Sequence, residues 1–136
     1  MSKMRPLLTV ALFSLTASMG LTGAATAGSY NGVCESSNGG EVCLYDRADH
    51  TGPVYDTLYS KPEYTGTYYG TNTSINNSVS SHWNRDPDTE VWFFTAANYT
   101  GGAMGTLPGR KASDEFLGFN NSWSSHCFVS NPACPR

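Results

Sequence analysis

The sequence has few charged residues, no basic stripe and, beyond position 27, no long apolar run. Only 14% of its residues are charged. A protein that binds nucleic acid needs clustered lysines or arginines to neutralise phosphates, and this chain lacks such a cluster. A membrane helix needs about 20 consecutive apolar residues, which residues 28–136 do not contain. We therefore expect no nucleic-acid partner and, once the leader is removed, no membrane span.

The first 27 residues have the pattern of a secretory signal peptide. Lys3 and Arg5 precede the apolar stretch "PLLTVALFSLTASMGL", and the tripeptide "ATA" at 25–27 supplies an A-x-A cleavage signal. The stretch is short and interrupted by Ser, Thr and Gly, although a retained membrane anchor is the alternative. We predict a signal peptide over residues 1–27 and a secreted, extracellular mature chain over residues 28–136.

The mature chain has the length of one small domain. Without Lys3 and Arg5 it keeps six basic and eleven acidic residues, a net charge of −5. An acidic balance is compatible with cation binding, but ordinary solubility explains it equally well. Charge alone therefore does not assign a partner.

The four cysteines of the mature chain include no C-x-x-C pair. In a small exported protein they indicate two disulfides, each worth about 2–3 kcal/mol through restriction of the unfolded chain. Three connectivities are possible, and the spacings favour the one in which both bridges are local. A zinc site is the alternative, although it lacks the usual ligand spacing. The predicted pairs are Cys34 with Cys43 and Cys127 with Cys134.

Short apolar runs separated by turn residues indicate antiparallel strands, whereas helix signals are weak throughout. The mature chain is rich in Gly, Ser, Thr, Asn and Tyr, which favour turns and strands over helices. The candidate strands are "VCLYD" (42–46), "PVYDTLY" (53–59), "SSHWN" (80–84), "VWFFT" (91–95), "GAMGTL" (102–107) and "SSHCFV" (124–129).

The mature chain contains an internal repeat. "VCLYDRADHTGPVYDTL" aligns without gaps on "VWFFTAANYTGGAMGTL", and "NNSVSSH" returns later as "NNSWSSH" in the same order. The two repeats cover about 41–85 and 90–129, with "NRDPDTE" as the connector. A single four-strand unit cannot bury its apolar face alone. The repeat therefore predicts an all-β domain of two Greek keys packed face to face as an antiparallel sandwich.

Two signatures, each present twice, make the sequence similar to a microbial βγ-crystallin domain over about 41–129. The first is aromatic-x₄-aromatic-x-Gly, which folds a hairpin by combining a permissive glycine with a ring that packs over it. "FTAANYTG" matches fully, whereas "YDRADHTG" carries a histidine that packs less well, which predicts a looser first hairpin. The hairpin residues are Tyr45, His50 and Gly52, then Phe94, Tyr99 and Gly101.

The second signature is the calcium motif of that family: two Asn or Asp, two free positions, Ser or Thr, and Ser. "NNSVSS" at 76–81 and "NNSWSS" at 120–125 match it at every position. The resemblance implies two calcium sites, in which the second residue gives its side-chain oxygen, the third its carbonyl and the fifth its hydroxyl, with a further carbonyl from the hairpin of the partner repeat. The predicted ligands are Asn77, Ser78 and Ser80, then Asn121, Ser122 and Ser124, with Ala48 and Ala97 as the hairpin carbonyls.

Calcium accepts six to eight oxygens, neutral ones included, but without acidic ligands micromolar or weaker affinity is expected. Two other interpretations of the motifs remain open. Asn and Ser side chains also cap turns, so the motifs could serve only the backbone. Glycosylation is the other, since N-x-S/T sequons begin at Asn72, Asn76, Asn98 and Asn120.

Catalytic chemistry is not predicted. His50, His82 and His126 have structural explanations, because one replaces a hairpin aromatic and two occupy equivalent repeat positions. There is no G-x-S-x-G elbow, and the adjacency of Asp114 and Glu115 says little about geometry. We therefore expect a protein that is not an enzyme.

The secreted, disulfide-bonded character and the crystallin-like pattern resemble the actinobacterial metalloproteinase-inhibitor family. The resemblance implies a monomeric extracellular peptidase inhibitor whose partner is a secreted metalloprotease, and a rigid scaffold suits that role. Two alternatives are a calcium-stabilised binding or structural module without inhibitory activity, and a killer-toxin-like secreted protein. No reactive loop is identifiable from the sequence.

Overall fold

Two antiparallel β-sheets make up the fold of residues 28–136, the part of the chain that the computed structural model describes. The predicted signal peptide at 1–27 lies outside these residues. The strands are β1 (Val42–Tyr45), β2 (Val54–Thr57), β3 (Ser81–Asn84), β4 (Val91–Ala96), β5 (Thr100–Thr106), β6 (Lys111–Ser113) and β7 (Ser125–Phe128). The first sheet has the order β2-β1-β3-β6 and the second β5-β4-β7. This confirms the all-β Greek-key sandwich.

Strand β1 shows how the short apolar runs become the centre of a sheet. It pairs with β2 on one side and β3 on the other, and its four residues are all buried. Because side chains alternate along a strand, Val42 and Leu44 point into the core between the sheets. Cys43 and Tyr45 lie in a separate apolar cluster with Val54, against which Cys34 and Trp83 pack.

Each repeat contributes a segment to one edge of the other repeat's sheet. Strand β6 comes from the second repeat but pairs with β3 of the first, with His82 opposite Ala112. In return, Lys61 of the first repeat forms a bridge with His126 on β7, through backbone bonds of 2.8 and 3.0 Å. Neither repeat is therefore a self-contained sheet, and backbone hydrogen bonds join the halves at both edges.

Three short elements lie outside the predicted strands. Strand β6 is one, and α1 (Asp114–Leu117) follows it directly. A 3₁₀ turn at Ser37–Gly39 precedes β1. Within the described part of the chain, no helix is long and apolar enough to cross a membrane.

The core fills the space between the sheets with aromatic and branched side chains. Val79 and Trp123 occupy the free positions of the two NNSxSS motifs, and neither is exposed. The ring centroid of Phe93 lies 5.8 Å from that of Trp123 and 4.0 Å from that of the buried His82. Each motif thus anchors its polar residues through one buried apolar neighbour. The core members are Val42, Leu44, Tyr64, Tyr68, Ile75, Val79, Val91, Phe93, Trp123 and Phe128.

Both disulfides join local cysteines, as the spacing favoured. Cys34 is bonded to Cys43 and Cys127 to Cys134, with Cα–Cα distances of 5.8 and 5.6 Å. The bridges account for all four thiols, which removes the zinc alternative for these residues. The first bridge fastens the segment before β1 onto the first sheet, and the second closes the turn after β7.

The two hairpin motifs have the left-handed backbone that their glycines allow. Gly52 has φ +79° and Gly101 φ +83°, and a Cβ on Gly52 would lie 2.4 Å from Asp46 Oδ1. His50 and Tyr99 also have positive φ, +61° and +59°.

The first hairpin is held by hydrogen bonds of its histidine as well as by ring packing. His50 Nε2 lies 3.0 Å from the carbonyl of Ala112 and 3.2 Å from that of His82, so the ring can donate to β3 and β6. Its ring also meets that of Tyr45 edge-on, with centroids 5.9 Å apart. Histidine replaces the lost packing with hydrogen bonds that tyrosine cannot make in the same way.

Candidate calcium-binding clusters

The two NNSxSS motifs face each other across the domain and bond reciprocally. Asn77 and Asn121, the second residues of the motifs, have φ of +53° and +55°, a conformation that asparagine tolerates better than most residues. The Asn77 N–H donates to the carbonyl of Trp123, and the Asn121 N–H to that of Val79, both at 3.0 Å. Each motif therefore fixes the start of the other.

The side chains of the motifs also pair across the repeats. Ser80 Oγ donates to Asn121 Oδ1 at 3.2 Å, and Ser124 Oγ to Asn77 Oδ1 at 3.1 Å. We call the first pair cluster one and the second pair cluster two. The asparagines are exposed, and the serines are 9% exposed, so both clusters open to solvent.

This pairing differs from the grouping expected from the sequence. The predicted ligand sets list Asn77 with Ser80 and Asn121 with Ser124, whereas the side-chain hydrogen bonds join Asn121 to Ser80 and Asn77 to Ser124. The reason is the pair of backbone hydrogen bonds between the motifs. Asn77 bonds to Trp123 and Asn121 to Val79, so each asparagine lies beside the serine of the other motif. Each cluster still draws on both repeats, but through the asparagines.

Each serine belongs beside the hairpin of its own repeat. The Ser80 N–H donates to the Tyr45 carbonyl and the Ser124 N–H to the Phe94 carbonyl, both at 2.9 Å. Ala48 and Ala97 follow three residues after these acceptors. The hairpin carbonyls proposed as ligands therefore lie in the same repeat as the serine and in the opposite repeat from the asparagine.

The last serine of each motif has a role that the sequence did not reveal. Ser81 Oγ donates to the carbonyl of Arg47 and accepts the N–H of His50. Ser125 Oγ likewise donates to Ala96 O at 2.7 Å and accepts the Tyr99 N–H at 3.2 Å. Both serines are fully buried. They fix the hairpins against the strands, and the repetition of serine at the final motif position was the only sequence signal for this.

The hydroxyls of Ser78 and Ser122, the third motif residues, bond locally. Ser78 Oγ lies 3.0 Å from the Tyr68 hydroxyl and donates to the carbonyl of Ser74. Ser122 Oγ donates to Asn120 O at 3.1 Å. Both hydroxyls are thus engaged locally, and the carbonyls of Ser78 and Ser122 stay the predicted ligands.

The chemistry of the clusters suits a hard cation better than a transition metal. Residues 28–136 contain no group of three or more His, Cys, Asp or Glu side chains placed to hold a metal ion. A metal would therefore bind here through amide, hydroxyl and carbonyl oxygens, which calcium accepts. The paired oxygens are 3.1 and 3.2 Å apart. Neighbouring ligands in a calcium shell, at about 2.3–2.6 Å from the ion, are roughly 3 Å from each other.

The histidine after each motif is buried and ties its strand to the other repeat. His126 Nδ1 accepts from the Tyr64 hydroxyl at 2.9 Å, and Nε2 donates to the Tyr59 carbonyl at 3.0 Å. Burial lowers the pKa of His126 to about 3, so the ring is neutral at physiological pH.

His82 makes the corresponding link in the first sheet. Its Nδ1 lies 3.0 Å from Asp114 Oδ1, and its Nε2 lies 2.7 Å from Thr106 Oγ1. This Asp–His–Thr chain has the order of a catalytic triad. However, Asp114 and His82 are fully buried and Thr106 is 5% exposed, so no substrate can reach the hydroxyl. The Asp114–His82–Thr106 series therefore has a structural role.

Comparison with known families decides the affiliation of this domain. Residues 29–106 match the model of peptidase inhibitor family I36. The chain belongs to this inhibitor family. Membership of an inhibitor family indicates a protein that is not an enzyme. No curated protein matches the chain.

Solved structures place this I36 member among βγ-crystallin folds. It is similar to the structure entitled "Evolution of the eye lens beta-gamma-crystallin domain fold", at 19% identity and a TM-score of 0.60 over 72% of this chain and 93% of that one. A βγ-crystallin from an archaeon is 25% identical, with a TM-score of 0.51 over 65% of this chain and 96% of that chain. The N-terminal domain of Protein S is 15% identical, with a TM-score of 0.50 over 65% and 94%.

Proposed function

We propose that the chain is a secreted, monomeric inhibitor of an extracellular metallopeptidase. The observation that carries this is the match of residues 29–106 to an inhibitor family, and the family itself implies a peptidase partner. The scaffold supports it, because two disulfides, the β3–β6 pairing and the Lys61 bridge fasten the connecting segments to the sheets. Loops fixed before binding lose less entropy on association.

Secretion is supported by two independent features. The first 27 residues have the charge, apolar stretch and A-x-A site of a signal peptide. All four cysteines of the mature chain are in disulfides, which persist mainly in oxidising compartments outside the cytosol.

Two calcium ions complete the proposal. Asn121 and Ser80 would hold one ion, and Asn77 and Ser124 the other, with the carbonyls of the hairpins and of the third motif residues filling each shell. The pairing of the side chains across the repeats supports this. An ion at either cluster would bind oxygens of both repeats in the folded state only, and so stabilise that state.

Inhibition tests the function directly. The secreted, oxidised protein is titrated against a zinc metallopeptidase such as thermolysin and against serine, cysteine and aspartic peptidases. We expect dose-dependent loss of metallopeptidase activity, complete near an equimolar ratio if one monomer blocks one active site. If the protein inhibits only a peptidase of another class, the inhibitor function would stand and the proposed metallopeptidase target would be wrong. An unaffected panel would contradict the inhibitor function and favour a calcium-stabilised binding module.

A further inference from the structure

A short segment of the second repeat projects two apolar side chains into solvent. It comprises residues 114–121, runs through α1 and ends in the second motif. Phe116 is 88% exposed, the highest value among the large hydrophobic residues that the structure describes, and its neighbour Leu117 is 47% exposed. An adjacent exposed Phe and Leu cost solvation free energy without helping the fold, which points to use in binding.

One residue of the first repeat holds both ends of this segment. The Asp114 N–H donates to the carbonyl of Ser80 at 3.0 Å, and the hydroxyl of Ser80 donates to Asn121 Oδ1 at 3.2 Å. The Asn121 N–H bonds to the neighbouring Val79 carbonyl. The segment is therefore a loop with its ends fastened side by side.

Contacts inside the loop fix its course between those ends. The Asp114 side chain is buried against His82, and the Asp114 carbonyl accepts the N–H of Phe119 at 2.9 Å. Gly118 turns the chain with φ +76°, and Phe119 stacks on the core residue Trp123 with ring centroids 4.6 Å apart. Asp114 and Phe119 point inward, so Phe116 and Leu117 are left at the tip.

We propose that this loop is the inhibitory element and that Phe116 enters the apolar specificity pocket of the target peptidase, with Leu117 beside it. The inference rests on the proposed inhibitor function. The loop lies outside the matched residues 29–106, so its own geometry carries the assignment. The partner is a peptidase that accepts large apolar side chains next to the bond it cleaves. A buried aromatic anchor supplied by a rigid loop is the kind of contact that dominates binding energy.

Substitution at the tip tests the loop. We expect Phe116→Ser to raise the inhibition constant at least tenfold against the peptidase that the parent inhibits, and Phe116→Leu, which keeps an apolar side chain, to raise it far less. Tyr59→Ser is the matched control, because Tyr59 is another exposed aromatic, at 69%, and lies on the connection after β2. Thermal melts of all variants should superimpose on the parent, since the truncated side chains are mostly in solvent.

Each outcome bears on the loop or on the function. An unchanged inhibition constant for Phe116→Ser, with the parent still inhibitory, would overturn the loop assignment and leave the inhibitor function standing. Equal weakening by Phe116→Ser and Tyr59→Ser would also overturn it. A parent that inhibits no peptidase would overturn both the function and the loop. Leu117→Ser provides a second variant at the tip, for which we expect weaker inhibition than the parent.

Discussion

The calcium proposal can be tested at single residues, because the serine of each cluster comes from one repeat and the asparagine from the other. The crossed pairing makes a prediction that a motif-by-motif grouping does not. In the double variant Asn77→Ala with Ser124→Ala, both changes fall in cluster two, so we expect calorimetry to find one calcium ion bound instead of two. Asn77→Ala with Ser80→Ala damages both clusters, and both sites should weaken.

The reverse result would restore the grouping by motif. If the pair Asn77 and Ser80 abolished one site and spared the other, the crossed assignment would be wrong. Asn72→Ala is the control, since Asn72 is an exposed asparagine outside both motifs. It should leave two sites of unchanged affinity.

Two buried carboxylates hold the segment that precedes β1. Asp56 accepts the N–H groups of Asn31 and Gly32 at 2.8 and 2.9 Å. Glu41 Oε2 accepts the Glu35 N–H at 2.8 Å. Burial, with a smaller contribution from Asp56 and Glu35, raises the pKa of Glu41 to about 7. The folded state therefore favours the protonated form of Glu41.

The raised pKa of Glu41 predicts a loss of stability on the alkaline side. Its contribution to stability is fully present below the ordinary pKa of about 4.5 and is lost as the pH rises through 7. Glu41→Gln should therefore be more stable than the parent at pH 8 by about 1–3 kcal/mol, and equally stable near pH 4.5. Urea unfolding at several pH values measures the difference. The exposed Glu63→Gln should follow the parent, and a Glu41→Gln curve parallel to the parent would contradict the raised pKa.

At the residue scale, the sequence indicated which asparagines and serines form the candidate site, but not which of them bond to each other. Repetition of the motif identified the asparagines and serines, because both copies match at every position. It could not show that Asn77 meets Ser124, since identical copies do not indicate which members meet in space. The roles of Ser81 and Ser125 were missed for a similar reason, as serine in a polar motif carries no mark of burial.

At the scale of elements, the buried histidines join each repeat to the segment that it receives from the other. His82 on β3 contacts Asp114, which follows β6, and His126 on β7 contacts Tyr64, which follows the Lys61 bridge. The two links occupy equivalent places in the two halves. They explain why a histidine, His82 or His126, follows each NNSxSS motif.

Removing one of these links should destabilise the fold. Tyr64→Phe keeps the ring but deletes the hydroxyl, which leaves the fully buried His126 Nδ1 without its donor. An unsatisfied buried acceptor costs about 1–3 kcal/mol, and denaturant unfolding should show a loss of that size. Tyr59→Phe is the control, because its side chain is exposed and its carbonyl, which His126 uses, is unchanged. Equal stability of Tyr64→Phe and the parent would contradict the link.

The strands that the sequence predicted are those with apolar alternation bounded by turn residues, and each of the six candidates overlaps an observed strand. Strand β6 was missed because Lys111–Ser113 has only three residues and gains its partner from the other repeat. The helix α1 has four residues, too few for a helical period to appear. Elements stabilised by distant contacts, and not by local pattern, are the ones that sequence periodicity cannot identify.

At the scale of the whole molecule, the repeats depend on each other. Two shared sheet edges, two histidine links and two asparagine–serine clusters cross between them. An ion at either cluster would add bonds between the repeats that disappear on unfolding. Calcium should therefore act on global stability and not on one loop.

That the two clusters bind calcium between the repeats is tested most directly by thermal melts of the oxidised protein in excess EDTA and in calcium. At a hundredfold excess of calcium over the dissociation constant, each site contributes about 2.7 kcal/mol. We expect the midpoint to rise by about 10 °C or more for a domain of this size. The matched double variant Ser80→Ala with Ser124→Ala should lose most of that rise. A parent midpoint that is the same in EDTA and in calcium would contradict the claim. It would indicate that the side chains of both clusters only cap turns.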